Sequence, residues 1–288
     1  MAIKALACEF PRKRGVPLSR YSAQELAATA VESGIVAQIS GVTVWRWLQQ
    51  DAIKPWQHRS WIFPRDPNFE AKAGRVLDLY HREWMGQPLG DDDYVISADE
   101  KPSIQARIRI HQSLPPAAKL ITRVEHEYRR GGALTYMAAW DVHHAKVFGR
   151  CEAASGIQPF GRLVQQVMQQ EPYRSARRVF WVLDNGSSHR GQPCSKRLQD
   201  AWPNLTVVHL PIHASWLNQV EIYFSIVQRK VLTPNDFESL EAVAMGLKDF
   251  ERRYEAAACP FAWKFGRENL AELMKKLSTH ESPLLQAA

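Results

Sequence analysis

The spacing of apolar residues divides the chain into a helical first part and an alternating second part. In "SAQELAATAVESG", Ser22 with Glu25 three residues on forms a capping box, and Gly34 ends the helix. After "IVAQIS" and a turn at Gly41, "VTVWRWLQQD" reads as a second helix with Val44, Trp45 and Leu48 available to pack inward. Helix, glycine turn and helix at this spacing predict a helix-turn-helix. A further helix is expected around Asn68–Trp84, carrying Val76, Leu77, Leu79 and Tyr80. "MGQPLGDDD" (Met85–Asp93) has no periodicity and reads as a polar breaker.

Beyond it the period changes. Tyr94–Ala98 reads as a strand that Asp99 ends. Ala133–Val142 and Lys146–Ala153 form a hairpin across "HHA", which leaves His143 and His144 exposed. "GIQPFGRLVQQVMQQ" reads as a helix. Val179–Leu183 is an unbroken apolar run, the mark of a strand buried on both faces, and it stops at Asp184. A helix around Pro193–Trp202 and the strand "LTVVHLP" follow, and Glu238–Ala258 is a last helical stretch with Leu240, Val243, Leu247, Phe250 and Tyr254 on one face. Antiparallel strands first and α/β alternation afterwards predict an α/β fold, a mixed sheet flanked by helices and preceded by a small helical domain.

One stretch resists a purely structural reading. "SWLNQVEIYFSIVQRK" (Ser215–Lys230) is an amphipathic helix with Leu217, Val220, Phe224, Val227 and, just beyond, Val231 on one stripe, and Glu221 falls on that stripe. A carboxylate facing a core costs several kcal/mol unless it is paired or binds a cation. Taken alone, an edge position that reaches water explains Glu221. Asp99 and Asp184, each at the end of an expected buried strand, change the picture, because ligands gather at the carboxyl ends of strands in α/β sheets. Three converging carboxylates need a cation, since like charges raise one another's pKa. Oxygen donors select Mg²⁺ or Mn²⁺, and two such ions held by carboxylates make a phosphoryl-transfer site.

Composition adds little and charge somewhat more. The 288 residues are 45% hydrophobic and 23% charged, ordinary for one large or two modest globular domains. No apolar run approaches the roughly 20 residues that span a bilayer. Cys8, Cys151, Cys194 and Cys259 show neither a CxxC pair nor zinc spacing, so a reduced, cytoplasmic chain is expected. The net charge of +7 points to a polyanion, with nucleic acid the commonest, and basic clusters stand at Pro11–Arg14, Glu127–Arg130 and Arg174–Arg178. In the second helix of the helix-turn-helix, Thr43, Arg46, Gln49 and Gln50 are placed to reach base edges or phosphates. The basic, aromatic "KPWQHRSWIFPR", with Lys54 and Arg59, reads as a wing or a backbone-gripping loop. The alternative is a helical subdomain with no DNA role.

"ISADEKPSIQAR", "VLDNGSSHRG" and "SWLNQVEIYFSIVQRKVLTPNDF" together resemble the transposases of bacterial IS630-type insertion sequences, in the Tc1/mariner superfamily. The resemblance spans nearly the whole chain. It implies an RNase H-like DDE catalytic domain in which Asp99, Asp184 and Glu221 are the catalytic, metal-binding acids, with two Mg²⁺ or Mn²⁺ ions. It gives supporting roles to Asn185 and His189 of the "DN…H" signature and to Asn218, one turn before Glu221. It further implies double-stranded DNA partners (terminal inverted repeats and target), strand cleavage and 3′-OH joining at TA dinucleotides, a homodimeric synaptic complex and residence at the bacterial nucleoid. Glu100, beside Asp99, would point to the opposite sheet face if the strand continues past Asp99, and is expected in a structural role.

The expected division is a helix-turn-helix or winged-helix-like DNA-binding region over 1–84, a linker over 85–93, the catalytic domain over 94–235 and a C-terminal helical region packing on it over 236–288. Two features depart from the family pattern. "HASWLN" lacks the proline that many relatives carry before Trp-Leu-Asn, and the stretch before the linker has room for one helix-turn-helix where the family has two, so the first is expected to be missing. Two other readings stay open: a truncated, catalytically silent DNA-binding remnant, and an RNase H-like nuclease that needs no inverted repeats.

Overall fold

The computed structural model describes residues 2–58, 64–189 and 191–285, with side chains as far as Ser278. The chain forms two compact units, Met1–Phe63 and Pro64–Ala288.

In the first unit, α1 (Ala2–Ala7), α2 (Ala23–Glu32) and α3 (Gly41–Gln50) enclose a small core of Leu6, Tyr21, Leu26, Ala30, Val44 and Leu48. Both halves of the capping box form: the Glu25 N–H donates to Ser22 Oγ at 3.2 Å and the Ser22 N–H to Glu25 Oε2 at 2.6 Å. Gly41 opens α3 rather than preceding it, with Ser40 as its cap. A Cβ at Gly41 would lie 3.1 Å from the Gln24 Cα, so glycine permits the close approach of the two helices. Trp45 does not pack inward as expected. It is 48% exposed, because one residue past Val44 the helix has already turned about 100° away from the core.

In the second unit α4 (Phe69–Tyr80) stops short of Trp84. Glu83–Trp84 (β1) and Gln87–Pro88 (β2) make a minimal hairpin through Met85 and Gly86, at φ 52° and 75°. The segment 85–93, expected as a linker, therefore lies inside this unit together with α4. Polar composition misleads at Asp93, which is fully buried and holds the Arg177 and Arg178 guanidinium groups.

The remaining elements are β3 (Asp93–Ile108), β4 (Arg129–Asp141), β5 (Val147–Glu152), α5 (Ile157–Met168), β6 (Arg178–Leu183), α6 (Gly191–Ala201), β7 (Leu205–His209), α7 (Val220–Lys230), α8 (Leu240–Glu255) and α9 (Arg267–Leu285). The strands form one five-stranded sheet in the order β5-β4-β3-β6-β7. β3, β4 and β5 run antiparallel, whereas β6 and β7 run parallel to β3. Alternate residues face opposite sides. Val95, Ala138, Phe180 and Val182 pack with residues of α4, α7, α8 and α9, while Ile96, Met137, Val179 and Trp181 pack with α5 and α6. β6 is thus covered on both faces, as its unbroken apolar run requires. Among the described residues no helix is long and apolar enough to cross a membrane.

Two expectations about side chains fail. Asp99 does not end its strand; β3 continues nine residues further, to Ile108, paired with β4. His143 is half-buried, with its Nε2 bonded to the Leu79 carbonyl at 2.9 Å, while His144 is exposed but held at Nδ1 by Asp141.

Candidate active site

The parallel pairing of β3 with β6 sets Ser97 opposite Val182, and there β6 nears its end. Carrying that register two residues on brings Asp184, the residue just past the end of β6, beside Asp99 and onto the same sheet face. Asp99 therefore stands at the carboxyl edge of the parallel half although its own strand runs on. It is buried, and its oxygens are met by the Glu100 N–H at 2.8 Å and Asn218 Nδ2 at 3.2 Å. Burial and then the charge of Asp184 push its carboxyl up to about 7. A carboxylate so placed takes up a proton or a cation.

Asp184 is held differently. It accepts a hydrogen bond from the Gly186 N–H at 2.7 Å and is bonded to His189 Nε2. Burial opposes its ionisation, but these two bonds and the nearby imidazoles hold it below the usual carboxylate range. A Cβ at Gly186 would fall 2.9 Å from both Asp184 Oδ1 and His189 Nε2, so only glycine lets the loop cross this pair. His189 is fully buried. Its Nδ1 meets Ser188 Oγ at 3.1 Å and lies 3.7 Å from Glu100 Oε2. Burial disfavours the imidazolium, yet the Asp184 bond and the charges of Glu100, Asp184 and Asp99 raise its pKa. Asn185 turns away and donates to the Leu210 carbonyl at 2.8 Å, tying the ends of β6 and β7 together.

The third acid arrives on α7. A short turn, Ser215–Leu217, precedes that helix, so Glu221 sits in its first turn rather than in the middle of a longer one. The buried stripe is Val220, Tyr223, Phe224 and Val227; Glu221 lies on its flank and is exposed, not core-facing as its spacing suggested. Ser97, fully buried on β3, fixes this helix start. Its hydroxyl donates to Asn218 Oδ1 and accepts the Val220 N–H at 2.9 Å. Asn218 Nδ2 in turn reaches the Ala98 carbonyl at 3.1 Å as well as Asp99. Tyr80 Oη donates to the Leu217 carbonyl at 2.7 Å from the other side. Partial burial raises the Glu221 carboxyl, Lys101 draws it down and the charge of Asp184 raises it again.

The structure thus brings Asp99 and Asp184 together, and Glu221 within electrostatic reach of Asp184. His189 and Asn218 touch the acids; Asn185 does not. Sequence reasoning missed Ser97, Gly186 and Ser188. It placed Glu100 on the far face, correctly by alternation, but that face leads to Ser188 Oγ at 3.0 Å and to His189. Asp99, Glu100 and His189 offer ligand atoms within 4.8 Å of one another. Both nitrogens of His189 already have partners, however, so a metal there would break its bond to Asp184 or to Ser188. The oxygen donors of Asp99, Asp184 and Glu221 suit a hard divalent cation without that loss.

In the first unit, Arg46 and Gln50 are exposed on α3, Gln49 is half-buried and Lys54 is exposed beyond it. The Thr43 hydroxyl shares a hydrogen bond with Ser40 Oγ at 2.9 Å, at the helix cap. Arg59 lies outside the described residues.

Residues 95–244 match the family described as DDE superfamily endonuclease. The fold is similar to solved structures of the Mos1 transposase. The paired-end complex with the left transposon end has a TM-score of 0.56 at 14% identity, over 96% of this chain and 77% of that one. The mariner Mos1 paired-end complex with Mg gives 0.56 at 15% identity, over 96% and 77%. The Mos1 strand transfer complex gives 0.53 at 16% identity, over 96% and 76%. At these identities the likeness is one of fold, an RNase H-like mixed sheet flanked by helices. No curated protein matches the chain.

Proposed function

The chain belongs to the DDE superfamily of endonucleases, and from that membership we propose that it is a Tc1/mariner-type transposase of the IS630 branch. The observation that carries the reading is the β3–β6 register, which brings two acids side by side at a sheet edge, one of them buried and without an ion pair among the described residues. Asp99, Asp184 and Glu221 hold divalent ions, Mg²⁺ or Mn²⁺, which when bound supply the Lewis acid for phosphoryl transfer. His189 keeps Asp184 oriented and ionised. Asn218 orients the Asp99 carboxylate and, through Ser97, sets the position of Glu221.

The reaction proposed is hydrolysis of a phosphodiester at a transposon end. Water attacks phosphorus and a 3′-OH leaves. That 3′-OH then attacks a target phosphodiester, at a TA dinucleotide, with release of the target strand's own 3′-OH. Arg46, Gln49, Gln50 and Lys54, with Arg59, hold the terminal repeat, and two copies of the chain act on two ends. The complexes of the Mos1 transposase with transposon ends support DNA as partner. The test is nicking of a labelled duplex carrying the element's terminal repeat, with Mg²⁺ or Mn²⁺. Cutting at the repeat boundary that is lost in Asp184→Asn, with DNA binding kept, supports the proposal. Cutting that ignores the repeat would make the chain a nuclease, and binding without cutting by either protein a silent remnant.

A further inference from the structure

Beyond Asp99, β3 and the start of β4 extend as an arm. Between the arm, the loop before β4 and the segment after α7 lies a cavity of about 710 Å³. Lys101, Arg107, Arg109 and Arg130 line it, with Glu125 the one acid among its described lining residues. Glu125 is already engaged: it accepts the backbone N–H groups of Ile110 and His111 at 3.0 and 2.9 Å and the His111 ring at 2.8 Å. Arg109 is structural, its guanidinium bound to the carbonyls of Glu125 and Asn235. Lys101, Arg107 and Arg130 have no ion pair among the described residues. Instead Arg107 lies over the exposed Tyr128 ring at 4.9 Å, and Arg109 approaches the same ring at 5.7 Å.

Three unpaired cations facing one concavity repel one another, and an anion relieves that cost. The cavity is a pocket, in the size range that holds a compact ligand rather than the flank of a duplex. An aromatic ring interleaved with arginines is the combination that grips an unpaired nucleic-acid strand through phosphates and a base face. The site adjoins the acids: Lys101 is two residues from Asp99 on the same strand, and its charge acts on Glu221. We propose that this cavity seats a short stretch of unpaired DNA strand leaving the acid site, with Lys101, Arg107 and Arg130 on its phosphates and Tyr128 against a base. The proposal rests on the reading of the chain as a DNA-acting enzyme, and it assigns the cavity to the strand freed from pairing beside the cut.

The test needs neither metal nor cleavage. Fluorescence anisotropy of the full chain in chelator is measured from 50 to 300 mM salt on a single-stranded oligonucleotide, a blunt duplex and a forked duplex. The variant is Lys101→Gln/Arg107→Gln/Arg130→Gln. A control, Arg174→Gln/Arg252→Gln/Arg253→Gln, removes the same charge away from the cavity. Each single-strand phosphate contact contributes about 0.7 to the slope of log affinity against log salt, so the cavity variant should flatten it by about 2 and weaken binding about a hundredfold near 0.1 M salt. The loss should be seen on the single strand and the fork, with blunt duplex binding within about threefold of the control. Equal effects of variant and control, equal loss on blunt duplex, or displacement of the oligonucleotide by poly-glutamate as readily as by unlabelled strand would each overturn the proposal. Cleavage by Asp184→Asn would sink the proposed active site and leave this binding result standing.

Discussion

Removing one hydroxyl, by Ser97→Ala, should separate a working active site from a folded sheet. Ser97 is fully buried and joins three things: the Val220 N–H, the Asn218 carbonyl oxygen and, through Asn218, the Asp99 carboxylate. Alanine fits the space but leaves the first two groups without a partner. A buried polar group so stranded costs about 1–3 kcal/mol, and together they cost about 2–4 kcal/mol, allowing for some relaxation. For a unit of this size that lowers Tm by roughly 5–15 °C. The functional effect is separate. With both Ser97 bonds gone, the start of α7 is tied to β3 only through Asn218 Nδ2, and a shift of about 1 Å at Glu221 suffices for a loss of about a hundredfold in rate. Metal-dependent nicking should be measured well below the lowered Tm, beside a scanning calorimetry trace. A variant that melts within a degree of wild type, or one that is destabilised yet cuts at the wild-type rate, would refute the assigned role.

Other expectations follow from the same contacts. Asp93→Asn should cost about 2–3 kcal/mol, less than the roughly 3–5 kcal/mol of a fully buried pair, because the Arg177 and Arg178 side chains, 53% and 34% exposed, can hydrate once freed. Burial opposes the Asp93 charge, but Arg178 and Arg177 hold its carboxyl far below the usual range. Its contribution is therefore complete above about pH 4 and fades as pH falls further; melts of both proteins should converge at acid pH. Asp99 has the opposite sign. With its carboxyl raised to about 7, the cation-free chain should lose stability as pH rises from about 4 to 7, and Mg²⁺ should restore it most above pH 7. A Mg²⁺-induced Tm shift no larger at pH 8 than at pH 6 would contradict this. Gly186→Ala should slow nicking by about tenfold or more by displacing Asp184 and His189, which a single-turnover time course would read.

The apolar patterns carried most of the architecture. Val179–Leu183 declared a doubly covered strand, and the Ser22–Glu25 box declared the start of α2. Asp99 and Asp184 were legible because each follows an apolar run. Failures arose where the pattern is two-sided or depends on partners far along the chain. The length of β3 is hidden because its second half sets only Ile104 and Ala106 inward among polar and exposed residues and is fixed only by β4. The burial of Asp93 depends on arginines about 85 positions away. Glu221 falls on the flank because the buried stripe is centred on Val220, Tyr223, Phe224 and Val227, and Glu221 stands about 100° round the helix from Val220. Ser97 carries no sequence signal at all, since one serine in a buried strand shows its purpose only when Asn218 is seen beside it.

As proposed above, Asp99, Asp184 and Glu221, rather than the neighbouring Asp99, Glu100 and His189, form the metal site. An anomalous difference map from a crystal of the chain soaked with Mn²⁺ tests it directly. Density is expected between Asp99 and Asp184, with Glu221 turned towards it and the His189–Asp184 and His189–Ser188 bonds intact. Density held by Glu100 and a His189 nitrogen, with His189 parted from Ser188 or from Asp184, would contradict it.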